Sequence, residues 1–129
     1  MNANVSGKDV LLVDDDPAVL SLVEQWLTSA GYSVVACDRY ETAKRHLEDA
    51  HPHLLVTDVR LGAFNGLQLV ILAKERTASV GAVVMSAYDD PMLRKEANQC
   101  GAGYLNKPCS RDEVLAAVSE ACIGHKLPI

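Results

Sequence analysis

Five short apolar runs, rich in β-branched residues, alternate along the chain with stretches of helical periodicity. The runs are Lys8–Val13, Tyr32–Cys37, His53–Asp58, Gly81–Ser86 and Ala102–Asn106. Short β-rich apolar runs of this length read as strands. Strands that alternate with helices predict βα units and a parallel sheet. Right-handed crossovers then place helices on both faces, giving an α/β, doubly wound, five-stranded sheet of the (βα)5 kind.

Local signals mark the helices. Asp16 is placed to cap a helix over Pro17–Ala30, with Pro17 in its first turn, Gly31 ending it, and Leu20, Val23 and Leu27 as its apolar stripe. Asp38 with Glu41 reads as a capping box for a second helix that ends near Ala50. Gly66–Arg76 is helical, with Leu67, Leu69, Val70, Leu72 and Ala73 available for burial. Pro91–Cys100 forms a fourth helix, and Ser110 with Glu113 boxes the start of a fifth that runs to about Ile123. Residues 1–7 read as a flexible N-terminus, 8–123 as one domain, and 124–129 as a short tail or the start of a linker.

In sheets of this kind, chemistry gathers at the carboxyl ends of the strands. Those ends carry Asp14-Asp15-Asp16, Asp58, Ser86 and Lys107-Pro108, while the second strand offers only Cys37-Asp38. If Asp16 caps a helix, then Asp14, Asp15 and Asp58 remain as a cluster. Two carboxylates ~4 Å apart repel by about 4 kcal/mol at an effective dielectric of 20. A hard divalent cation relieves that repulsion, and carboxylate oxygens are what Mg²⁺ prefers. Lys107 supplies a flexible ammonium that can pair with Asp58 and then with a phosphoryl oxygen, and Ser86 a hydroxyl donor. Taken singly, each has a plainer reading: helix-start acids on a solvated rim, a surface lysine, a strand-end serine bonding its own turn.

In order and at compatible spacing, these stretches resemble the receiver domain of two-component response regulators. The matching residues are Val10-Leu11-Leu12-Val13-Asp14-Asp15-Asp16-Pro17, Leu54-Leu55-Val56-Thr57-Asp58 with Asn65-Gly66, Val83-Val84-Met85-Ser86-Ala87, and Gly101 to Pro108. The resemblance implies a flavodoxin-like fold and a phosphoprotein in which Asp58 is the phospho-acceptor. It implies Mg²⁺ held by Asp15 and Asp58, with Asp14 helping and the backbone carbonyl of Arg60 as a further ligand. Ser86 and Lys107 would contact the phosphoryl group, Ser86 and Tyr104 would form the switch, and Pro108 would follow a cis peptide bond. Two departures stand out: Gly62 replaces the family's usual Pro, which is expected to loosen the loop, although Asn65-Gly66 still offers a tight turn. Arg60 and Tyr88 lie two residues beyond Asp58 and Ser86, where the family flanks the phosphoryl group, so both are expected to tune the lifetime of phospho-Asp58.

The implied partners are a sensor histidine kinase or phosphotransfer protein, with a homodimer or an output domain using the fourth helix, fifth strand and fifth helix. Such a domain is not an enzyme beyond its own phosphorylation and dephosphorylation. Twelve Lys+Arg against 17 Asp+Glu, a net charge of −5, leave no electrostatic footprint for nucleic acid. No apolar run approaches the ~20 residues that cross a bilayer. Cys37, Cys100, Cys109 and Cys122 form no C-x-x-C pair and read as free thiols, so the expected location is cytoplasmic. Three alternatives are weaker. A receiver-like module that is never phosphorylated would leave the site residues idle. A haloacid-dehalogenase-like phosphatase would use Asp14 and Asp16 as its D-x-D and strand Asp58 and Lys107. A flavodoxin-like cofactor binder would need a phosphate loop where three aspartates stand.

Overall fold

The computed structural model describes residues 7–124. The expected flexible N-terminus and the tail fall almost wholly on residues 1–6 and 125–129, outside the described residues. The strands are β1 (Asp9–Val13), β2 (Ser33–Cys37), β3 (Leu54–Asp58), β4 (Gly81–Ser86) and β5 (Gly103–Asn106). The helices are α1 (Pro17–Ser29), α2 (Tyr40–Asp49), α3 (Gly66–Arg76), α4 (Pro91–Gln99) and α5 (Arg111–Gly124). Every expected strand and helix is present, with ends moved by a residue or two. The strands pair in parallel in the order β2-β1-β3-β4-β5, a doubly wound sheet.

Side-chain alternation along the strands divides the core in two. Val10, Leu12, Leu54, Val56, Val83 and Met85 face α1 and α5, where Val23, Leu27, Val114 and Val118 complete the layer. Leu11, Val13, Leu55, Ala82 and Val84 face the other way, onto Ala43, Leu47, Leu69, Val70 and Ala97 of α2, α3 and α4. β3 and β4 are buried along their whole length, which is why their sequences are continuously apolar. α5 lies so close to β4 that a Cβ on Gly81 would sit 2.6 Å from the Ala121 carbonyl oxygen.

The helix starts follow their capping residues, with one exception. Asp16 accepts from the amides of Ala18 and Val19, and Asp90 from Met92. Ser110 and Glu113 bond each other's backbone amides as the capping box requires. The Asp38–Glu41 box does not form. α2 begins at Tyr40, its N-cap is Arg39, and no side chain caps it. Packing overrides the local signal here, because the stripe Tyr40, Ala43, Leu47 must face the sheet, and that register leaves Asp38 one residue too early.

The loop after β3 also differs from expectation. Arg60–Leu61 and Phe64–Asn65 pair as a small antiparallel hairpin, closed by Gly62 at φ +62. A proline could not adopt that backbone, so Gly62 builds the turn instead of loosening the loop. Asn65-Gly66 is not a turn but the start of α3, where the Asn65 side chain caps the Leu67 amide at 2.8 Å.

Candidate functional site

Parallel register brings the carboxyl ends of β1, β3, β4 and β5 together. Val13 pairs with Thr57, Asp58 with Met85, and Ser86 with Asn106. Asp14 and Asp58 therefore emerge side by side, with Ser86 and Lys107 one and two strands away. Asp14 is fully buried, Asp58 nearly so, Ser86 buried, and Asp15 exposed at the rim.

Lys107 reaches back across the sheet. Its Nζ lies 2.8 Å from Asp14 Oδ2 and 3.3 Å from Asp58 Oδ2. The sequence expectation paired it with Asp58; it holds both acids, and Asp14 more closely. The Lys107–Pro108 bond is cis, as expected. Asp14 Oδ1 accepts the Asp16 amide at 2.9 Å, so its carboxylate is fixed from both sides. Asp16 caps α1 and takes no part in the cluster, which removes the D-x-D reading.

Electrostatics follow from burial. Desolvation raises the Asp58 pKa above the usual carboxylate value; Lys107 pulls it down, and Asp14 and Asp15 push it up again. Burial pulls the Lys107 pKa down, but the hydrogen bond and charge of Asp14, joined by Asp58, outweigh that and raise it overall. Oxygens of Asp14, Asp15 and Asp58 all lie within 4.8 Å of one another. Three carboxylates stand against one ammonium, a formal excess of acid over base at one sheet edge. Hard oxygen donors with that excess suit a small divalent cation such as Mg²⁺.

The main chain around Asp58 is tightly held. The Thr57 hydroxyl donates to the Asp58 carbonyl at 2.9 Å, and the Gly66 amide to the Val59 carbonyl at 2.6 Å. A Cβ on Gly66 would lie 2.0 Å from the Asp58 carbonyl oxygen. Close approach, not backbone angle, is the reason for glycine there.

On the far side, the main chain of Tyr88 is held at both its amide and its carbonyl. Ser86 Oγ accepts the Tyr88 amide at 3.0 Å. The Tyr104 hydroxyl donates to the Tyr88 carbonyl at 2.6 Å, and Asn106 Nδ2 does so at 3.1 Å. The exposed Tyr88 ring meets the Arg60 guanidinium, which sits 4.7 Å from its centroid. The sequence placed Arg60 and Tyr88 at the same rim but gave no sign that they touch. It also missed Arg94, whose guanidinium stacks on Tyr104 at 4.6 Å and bonds Asn106 at 2.8 Å and Asp89 at 3.2 Å.

A five-stranded parallel sheet with a cluster of three acids and one lysine at its carboxyl edge has the arrangement of a receiver-type signalling domain. Residues 10–119 match the response regulator receiver domain, and the chain belongs to that family. It is 31% identical over 119 residues to the DNA-binding transcriptional regulator NtrC of Proteus hauseri, covering 92% of this chain and 25% of that protein. The chain thus spans about a quarter of the length of the curated relatives it matches. A receiver protein from Sinorhizobium medicae superposes with a TM-score of 0.85 at 25% identity, covering 93% of this chain and 98% of the other. The beryllofluoride-activated NtrC4 receiver domain, solved as a dimer, superposes at 0.84 with 22% identity, over 92% and 98% of the two chains, and speaks for the fold.

Proposed function

We propose that this domain accepts a phosphoryl group on Asp58 from the phosphohistidine of a sensor kinase or phosphotransfer protein. The observation that carries this reading is the buried Asp14–Lys107–Asp58 arrangement, with Asp15 beside it at the rim. An Asp58 carboxylate oxygen attacks phosphorus, the O–P bond forms, and the P–N bond to the donor imidazole breaks. Lys107 stands close enough to leave Asp58 for a phosphoryl oxygen while keeping Asp14. Asp15 and Asp58, helped by Asp14 and the Arg60 carbonyl, would hold Mg²⁺. Bound there, the ion supplies charge neutralisation for the transferring oxygens.

The readout follows from the main chain of Tyr88. If the Ser86 hydroxyl turns to the new phosphoryl oxygens, it gives up the Tyr88 amide. The carbonyl of the same residue is held by Tyr104, so the two switch residues share one partner. Phosphorylation then shifts the population of the β4–α4 loop, and with it the α4–β5–α5 face. That face is the proposed surface for a homodimer or an output domain. The greater length of the curated relatives leaves room for an output domain on that face. Arg60 and Tyr88, in contact across the rim, would hinder water and lengthen the life of phospho-Asp58; alanine at either position should speed dephosphorylation. A cytoplasmic location is supported by membership of the receiver family; among the described residues no helix is long and apolar enough to cross a membrane.

The test is intact-mass spectrometry after incubation with acetyl phosphate and Mg²⁺. Wild type should gain one phosphoryl group, and neither the Asp58→Asn variant nor a sample with EDTA should do so. No gain in folded protein that binds Mg²⁺ would favour an unphosphorylated interaction module.

A further inference from the structure

The ring of Phe64 stacks on that of Tyr40, with centroids 4.4 Å apart and planes 8° from parallel. Phe64 belongs to the return arm of the hairpin, and Tyr40 is the first residue of α2. Two-residue arms cannot sustain a hairpin alone, so this one needs outside support. A cleft of about 290 Å³ lies between the hairpin and the start of α2, and Asp15 and both rings line it. α2 has no side-chain cap, so its first turn is also anchored by this stack. Tyr40 in turn packs on the core formed by Leu47 and Val70, which makes it the fixed partner. Phe64 remains 41% exposed, too much for an ordinary core residue.

The hairpin bears directly on the acidic cluster. The Gly62 amide points at Asp15 Oδ2, 3.4 Å away. Arg60, whose carbonyl is a proposed cation ligand, lies on the first arm, paired with Asn65 beside Phe64.

We infer that Tyr40 and Phe64 are positioning residues, an aromatic clamp that holds the hairpin so that Asp15 and the Arg60 carbonyl are set for a divalent cation. This rests on the metal-site reading above. The clamp touches neither cation nor phosphoryl group. It lowers the cost of ordering the loop when the cation binds.

The test is a Mg²⁺ titration of the full chain, followed by backbone amide NMR shifts, beside thermal unfolding in EDTA. The variants are Phe64→Ala, Phe64→Leu and Phe64→Tyr. Loss of the ring should weaken Mg²⁺ binding about three- to tenfold in the first two, the scale of one aromatic pair. Phe64→Tyr should restore it. Metal-free melting temperatures should fall by only the few degrees that one partly exposed aromatic pair supports. Unchanged Mg²⁺ affinity in Phe64→Ala would overturn the clamp, as would a loss of stability with no loss of affinity. A wild-type domain that binds no Mg²⁺ would overturn the metal-site reading and the clamp with it. One that binds Mg²⁺ but takes no phosphoryl group would leave the clamp standing and remove the phosphorylation reading.

Discussion

Two loops flank Asp58, and they are held in different ways. The β3–α3 hairpin is fixed by backbone pairing, by the Phe64–Tyr40 stack, by Gly62 in a conformation only glycine takes easily, and by Gly66 pressed against the Asp58 carbonyl. The β4–α4 loop is held by side chains: Ser86, Tyr104 and Asn106 on the Tyr88 main chain, and Arg94 on Asp89. Backbone and close packing cannot be exchanged without unfolding the loop. Side-chain hydrogen bonds can be traded one for another at a cost of about 1 kcal/mol each. One loop is suited to hold a geometry for a cation, the other to change when a phosphoryl group arrives.

The sharpest way to break this contrast is Gly66→Ala. The new methyl has no room beside the Asp58 carbonyl, and overpacking of that kind costs about 3 kcal/mol. Denaturant melts should register the loss, and Mg²⁺ affinity should fall with it. A nearly neutral Gly66→Ala would mean that the hairpin side is as adaptable as the other.

Lys107→Met comes next. It strips the partner from buried Asp14 and from Asp58, and removing one member of a buried pair costs about 3–5 kcal/mol. Lys107 is 17% and Asp58 12% exposed, so about 2 kcal/mol is expected in metal-free buffer. Added Mg²⁺ should recover part of it. Melting curves with and without the ion would test this.

Asp58→Asn should act in the opposite direction. The native Asp58 pKa is raised above its ordinary value of 3.8, chiefly by burial. The folded state therefore binds that proton more tightly than the unfolded chain. Stability from this group is present below the unfolded pKa and is lost as pH rises through the folded one. In EDTA, Asp58→Asn should melt higher than wild type at neutral pH, and the gain should fade toward about pH 4. A constant difference across that range would contradict the pKa direction.

Tyr104→Phe should have the smallest effect on stability, about 1 kcal/mol for one hydrogen bond. Its larger consequence should be on the β4–α4 loop, where the Tyr88 carbonyl keeps only Asn106. Amide exchange of Tyr88 and Asp89 should speed up while that of Leu61 and Phe64 stays unchanged. Equal changes in both loops would erase the distinction.

The legible and illegible parts of the chain divide along similar lines. Strand ends were readable because the strands announce themselves as short apolar runs, and the residues that end or follow each run fall at one sheet edge. Asp14, Asp15, Asp58, Ser86 and Lys107 came together for that reason. What escaped were contacts made by register and side-chain reach. Asp38–Glu41 looked like a cap, yet the Tyr40–Ala43–Leu47 stripe set where α2 begins. The hairpin escaped because two-residue arms carry no periodicity, and Gly62 alone does not distinguish a loose loop from a tight turn. The contacts of Arg60 with Tyr88 and of Arg94 with Tyr104 join distant parts of the chain, and long side chains give no sequence signal of where their charged ends settle.

The most direct measurement is a ¹H–¹⁵N NMR comparison of the domain in three states: metal-free, with Mg²⁺, and with Mg²⁺ and beryllofluoride as the phosphoryl mimic. Mg²⁺ alone should move Asp15 and the amides of Leu61–Asn65. Beryllofluoride should then move Ser86–Asp90, Arg94 and Tyr104–Lys107 much further, with little added change in the hairpin, and Asp58→Asn should abolish the second step. A beryllofluoride response confined to the hairpin, or one that survives in Asp58→Asn, would contradict the assignment of Asp58 as acceptor and of the β4–α4 loop as its reader.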